Sequence, residues 1–83
     1  MWHVYILKCS DESFYVGLTT DLKQRVQDHQ SGDGAQYTRS RRPLSLEYSE
    51  RFASKQEAEN REHQLKRWSR AKKEALTSGK LKK

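Results

Sequence analysis

Two runs near the N-terminus alternate apolar and polar positions at the period of a β-strand. Trp2 to Lys8 and Phe14 to Leu18 are rich in aromatic and β-branched residues, and Cys9 to Ser13 between them supplies turn chemistry. The pair predicts a β-hairpin. Alternation puts Trp2, Val4 and Ile6 on one face and His3, Tyr5 and Leu7 on the other. In the second run Tyr15 and Gly17 lie opposite Phe14, Val16 and Leu18. If the two tyrosines share a face, the other face is expected to carry the apolar core.

From Thr19 the period changes. Thr19, Thr20 and Asp21 form an N-cap cluster, and Leu22, Val26 and His29 then recur at helical spacing up to a Ser31-Gly32 stop, so a helix is expected from about Asp21 to Gln30. Residues 32–43 lack periodicity and hold two glycines, the only proline and an arginine cluster, which reads as a surface loop. Leu44, Leu46 and Tyr48 alternate with Ser45, Glu47 and Ser49, predicting a third strand with one buried face. Ser54-Lys55-Gln56-Glu57 fits a capping box, in which Glu57 reaches back to the Ser54 amide, and opens a helix running to about Trp68. Ser69 can cap a last helix carrying Ala71, Ala75 and Leu76 and ending near Ser78-Gly79. The element order is β-β-α-β-α-α, an α+β chain. No repeat or linker divides it, so residues 1–79 are expected to form one domain and Lys80 to Lys83 a frayed basic tail.

Composition narrows the classes. A chain of 83 residues buries only about 60–65% of the surface its unfolded form exposes, so its core is thin. Hydrophobic residues make up 33% and charged residues 34%, with no apolar run near the roughly 18 residues of a membrane span and no signal-peptide pattern. The single cysteine, Cys9, has no partner for an internal disulfide, and the expectation is a soluble cytoplasmic protein. The net charge of +6 is uneven: three arginines fall between Arg39 and Arg42, and Lys66 to Lys83 holds eight basic residues against one acid, Glu74. Such clusters attract polyanions, although a solvated helix face with a basic tail accounts for them equally.

A few residues resist a purely structural account. Ala58, Glu62 and Leu65 share one stripe of the predicted second helix, and a carboxylate on a buried stripe costs several kcal/mol unless it is paired, protonated or metal-bound. Glu62 is either an edge residue that reaches water or an arginine, or a ligand for Mg²⁺ or Mn²⁺, ions often held by one or two carboxylates plus waters and phosphate. Arg25 and His29 lie one helical turn apart and can address the same space, one as a planar phosphate-binding fork and one as a proton carrier. They can equally be a surface arginine and a histidine at the C-terminal turn. Tyr5 and Tyr15 are ordinary strand aromatics until Gly17 joins them, which allows a close approach at a strand end. A phenol titrates near pH 10, so a base role needs a cation or another activator. Tyr37, in the basic loop, can stack on a base or lie flat on the surface.

Taken together, the segments Val4-Tyr5-Ile6, Tyr15-Val16-Gly17, Asp21-Leu22, Arg25, Tyr37-Thr38, Arg42-Pro43 and Ala58, Glu62, Lys66 resemble a GIY-YIG nuclease domain of the small single-domain kind. The likeness spans nearly the whole chain and extends to the GIY-YIG module of bacterial excision-repair incision enzymes. It implies a three-stranded antiparallel sheet flanked by helices and a Mg²⁺- or Mn²⁺-dependent endonuclease. Tyr5 would be the general base, Tyr15 would position water or phosphate, Arg25 would stabilise charge on the phosphate, His29 would sit one turn further, and Glu62 would bind the metal. Gly17, Tyr37, Arg39, Arg41, Arg42, Lys66 and Arg70 are the expected substrate-binding set. Two departures stand out: His3-Val4-Tyr5 replaces the name-giving glycine and isoleucine, and Leu18 stands where some members have a lysine.

The expected substrate is DNA in preference to RNA, cut in repair or recombination under the direction of DNA structure or a protein partner, because no additional targeting domain is evident. The competing reading is a nucleic-acid-binding module that keeps the fold without cleaving. A cysteine hydrolase built on Cys9 with His3 or His29 lacks any nucleophile motif or third group to orient the histidine.

Overall fold

The computed structural model describes residues 1–79, and the tail expected at Lys80 to Lys83 lies outside the described residues. In chain order the elements are β1 (Trp2–Lys8), β2 (Phe14–Thr19), α1 (Leu22–Ser31), α2 (Gln36–Arg39), β3 (Ser45–Phe52), α3 (Lys55–Arg67) and α4 (Arg70–Thr77). The strands form one antiparallel sheet in the order β2-β1-β3, so the hairpin's first strand is central. This is the three-stranded α+β architecture expected from the sequence, with one short helix added.

The expected single apolar face is corrected: both faces of the sheet are covered. Val4, Ile6 and Val16 pack with Ala58, Leu65 and Leu76 from α3 and α4. On the opposite face Tyr5 and Leu7 pack with Cys9 and Leu44, flanked by Tyr15 and by Leu22 and Val26 of α1. The tyrosines do share that second face, as alternation predicted, but they share it with a core of their own.

β3 also departs from simple alternation. Its register against β1 shifts between Ile6, which faces Tyr48, and Leu7, which faces Leu46, so Glu47 is the extra residue of a bulge. One extra residue reverses the faces beyond it. Tyr48 therefore joins the α3 side, Leu44 the α1 side, and Leu46 is left 42% exposed.

The helix starts are local and follow their caps. Asp21 accepts from the Gln24 amide, Ser54 from the Glu57 amide and Ser69 from the Lys72 amide. At Ser54 the reciprocal bond of a capping box is replaced: the hydroxyl donates to the Glu57 carboxylate at 3.1 Å, instead of Glu57 reaching the Ser54 amide. Helix α2 lies within the segment read as an irregular loop. Four residues give too little periodicity to be seen in sequence. Gln30 at the end of α1 anchors this segment by taking the Leu44 amide and donating to the Leu44 carbonyl.

Candidate active site

The central strand supplies the deepest member of the site. Tyr5 is 1% exposed and faces Gly17 across the β1–β2 ladder. A Cβ at Gly17 would stand 2.5 Å from the Tyr5 hydroxyl oxygen and 3.1 Å from the Tyr15 ring, so only glycine lets the phenol lie against β2 at this point. Helix α1, started at Asp21 and ended by Gly32 at φ +92°, carries Arg25 and His29 one turn apart, as their spacing predicted.

Unlike a surface histidine at a helix end, His29 is wholly buried. Its Nε2 lies 2.9 Å from the Tyr5 hydroxyl and its Nδ1 2.8 Å from Oγ1 of Thr38, which is also buried. Burial pushes the Tyr5 phenol up to about 12, while the adjacent Arg25 guanidinium pulls it down and the Tyr15 and Glu62 side chains push it further up. His29 moves the other way. Burial and then the Arg25 charge hold its imidazole below the usual histidine range, against the weaker pull of Asp28.

Aromatic rings surround the pair. The edge of Tyr15 meets His29 at 5.2 Å between centroids, Tyr37 stacks on Tyr15 at 5.9 Å, and the Arg41 guanidinium lies 4.0 Å over the Tyr37 ring. Arg25 reaches Asp28 only at 3.9 Å, too long for a hydrogen-bonded ion pair, so its fork is not committed there.

Glu62 is half-buried, its side chain 15% exposed, and its oxygens meet Lys66 Nζ at 3.4 Å and His63 Nε2 at 3.9 Å. Charge-assisted bonds are normally 2.7–2.9 Å, so both contacts leave lone pairs under-used. This donor set fits a hard divalent ion held by one carboxylate, with waters and phosphate completing its shell. Among the described residues no group of three or more His, Cys, Asp and Glu forms a ready-made cage.

The other basic residues of the expected set lie in varied surroundings. Arg39 donates to the Gly32 carbonyl, Arg42 to the carbonyls of Arg39 and Gln30, and Arg41 to the Tyr37 carbonyl while pairing with Asp11 at 3.1 Å. These arginines tie the 32–43 segment to α1 and to the hairpin turn. Arg70 donates to the Glu12 carbonyl and covers the Phe14 ring, and Lys66 is the partner of Glu62. Sequence reasoning counted Thr38 within a resemblance segment but gave it no role, and it missed Gly34; both pack on His29. Their contact spans an irregular loop, which no periodicity reports.

Residues 1–75 match the model of the GIY-YIG catalytic domain. A UPF0213 protein of Halobacterium salinarum is 54% identical over 76 residues, covering 92% of this chain and 99% of the relative. A UPF0213 protein of Bacillus pumilus is 51% identical over 72 residues, covering 87% and 74%. The solution NMR structure of the UPF0213 protein of Bacillus halodurans superposes with a TM-score of 0.61 at 49% identity, covering 96% of this chain and 86% of that one. A second NMR structure, from E. faecalis, gives 0.62 at 37% identity over 93% and 82% of the two chains. The chain belongs to the GIY-YIG catalytic-domain family.

Proposed function

We propose that this protein is a Mg²⁺- or Mn²⁺-dependent endonuclease that hydrolyses phosphodiester bonds in DNA, with cleavage directed by DNA structure or by a protein partner in repair or recombination. The observation that carries this reading is the Tyr5–His29 contact at 2.9 Å, with Arg25 and Glu62 both close enough to alter the phenol's acidity. A strand phenol with a buried neutral imidazole on its hydroxyl, a cation beside it and one under-used carboxylate is a set of groups suited to hydrolysis at phosphorus.

Each side chain has a separable role. A divalent ion on Glu62 would withdraw charge from the phosphodiester oxygens. Arg25 offers two parallel N–H donors to the phosphate and stabilises the charge that builds on it during attack. Tyr5, raised to about 12, is not ionised at neutral pH, so it acts as a proton conduit: as it takes the proton of the attacking water, its own passes to His29 Nε2. The new bond joins the water oxygen to phosphorus, the bond to the leaving oxygen breaks, and that oxygen is protonated from solvent. Because Tyr5 is 1% exposed, the incoming phosphate must displace the side chains beside it, and Tyr15, stacked under Tyr37 and Arg41, is the adjacent ring. Tyr15 then positions water or phosphate. Lys66, Arg70 and Tyr37 complete the DNA-binding surface, with Arg39, Arg41 and Arg42 shaping it through their backbone bonds, whereas Gly17 is buried against Tyr5 and acts only by letting that ring approach β2.

The test is nicking of branched, flapped and single-stranded DNA with Mg²⁺ or Mn²⁺. Wild-type protein is expected to cut at least one of these, and Glu62→Ala to lose cleavage while retaining DNA binding. Failure to cut any of them with either ion contradicts the reading. The burial of Tyr5 favours one alternative, a nucleic-acid-binding module that does not cleave. That alternative predicts salt-sensitive binding indifferent to Glu62→Ala and no strand scission.

A further inference from the structure

The 34–38 segment is built around one edge of the His29 ring. Gly34 lies flat against it, where a Cβ would run into Nδ1 and come within 2.9 Å of Cε1 and Cγ. Thr38 sets its Oγ1 2.8 Å from Nδ1. The direction of the bonds follows from the far end. The Thr38 hydroxyl donates to the Ala35 carbonyl at 2.9 Å, and that carbonyl, which also receives the Thr38 and Arg39 amides, has no proton to give. With its single hydrogen used there, the Thr38 oxygen accepts from His29. Nδ1 is then the protonated nitrogen of the neutral ring, and Nε2 presents a bare lone pair to the Tyr5 hydroxyl.

Free imidazole side chains favour the opposite tautomer, with hydrogen on Nε2. In that form His29 would donate to Tyr5, and the phenol's proton would have nowhere to go within the site. We infer that Thr38 is a positioning residue: its hydroxyl, anchored on the Ala35 carbonyl, locks His29 as the Nδ1–H tautomer and so directs the Tyr5 proton toward Nε2. The purpose of the lock rests on the hydrolytic reading above, whereas its existence does not. During the step the proton leaves Tyr5 Oη for His29 Nε2, a proton of the attacking water replaces it on Oη, and the imidazolium keeps its Nδ1–H on Thr38.

The experiment is long-range ¹H–¹⁵N correlation NMR of the His29 ring in the full chain, above the pH at which the ring is protonated. The wild-type protein is expected to show a protonated Nδ1 and an unprotonated Nε2. Thr38→Val is expected to move the hydrogen to Nε2, wholly or in part, and Thr38→Ser to restore it to Nδ1. A wild-type ring protonated on Nε2 overturns the inference even if Thr38→Val does not fold, and so does a Thr38→Val ring that stays protonated on Nδ1. If wild-type protein cleaves DNA, Thr38→Val should lower the single-turnover rate on the order of ten- to a hundredfold, with Thr38→Ser recovering most of it. An Nδ1–H tautomer that follows Thr38 in a protein that cuts nothing would leave the lock standing and remove the nuclease reading.

Discussion

Tyr5 acquires its significance from what touches it. Leu18 leaves no lysine beside the phenol, and burial drives its pKa up to about 12 despite Arg25, so without a bound cation the phenol keeps its proton near neutral pH. In the proposed mechanism His29 supplies the acceptor, and its depressed pKa keeps it neutral where a solvent-exposed histidine would begin to charge. Three outcomes follow. Cleavage should hold its rate as pH falls through 6.5, the ordinary histidine value, and decline only below it as His29 is protonated; a pH–rate profile with its acid limb at or above 6.5 contradicts this. Stability has the same sign. The unfolded chain binds the His29 proton first, so this contribution is complete above 6.5 and is lost as pH falls toward the lower folded-state value, measurable as a falling Tm between pH 7 and 5 that His29→Gln lacks. Gly17→Ala should displace the Tyr5 hydroxyl from His29 and depress cleavage with the sheet intact, because the added Cβ falls 2.5 Å from Oη; unchanged cleavage by a folded variant would show that the close approach is dispensable.

At the scale of elements, what the sequence revealed was local or periodic. The hairpin, α1, α3 and α4 follow from alternation, helical spacing and side-chain caps, and each cap is formed in the structure. Ser54→Ala should therefore cost about 1 kcal/mol of stability, read as a lower urea midpoint at unchanged slope. The bulge at Glu47 was invisible because a single extra residue reverses the face of everything beyond it, which split Leu44 from Tyr48. Helix α2 was invisible because it is one turn long. The candidate site was legible in part: spacing singled out Arg25 and His29, a misplaced carboxylate singled out Glu62, and Tyr5 was an ordinary strand aromatic beside Gly17 until the resemblance gave it a role. Thr38 could not be singled out, since its contact with His29 crosses a glycine-containing loop whose path depends on Gln30, Arg39 and Arg42 gripping backbone carbonyls.

For the whole molecule, the net charge of +6 overstates the cations available to a polyanion. Arg39, Arg41 and Arg42 already hold the 32–43 segment together, and Arg61 is bound to Glu50 at 2.9 Å, so part of the positive charge is structural. No described helix is long and apolar enough to cross a membrane. The site draws on both layers around the sheet: α1 brings Arg25 and His29 to the face of β1 that carries Tyr5, and α3, packed on the other face, brings Glu62 close enough to act on the same phenol. The chain's family is that of the GIY-YIG catalytic domain, and the proposed chemistry depends on Tyr5 carrying a transferable proton. The most direct test is single-turnover cleavage by Tyr5→Phe at saturating DNA and Mn²⁺, since phenylalanine keeps the ring and its packing and removes only the hydroxyl. The predicted result is a rate lower by about 10²–10⁴-fold with DNA binding and Tm little changed. Cleavage by Tyr5→Phe at the wild-type rate would contradict the central claim.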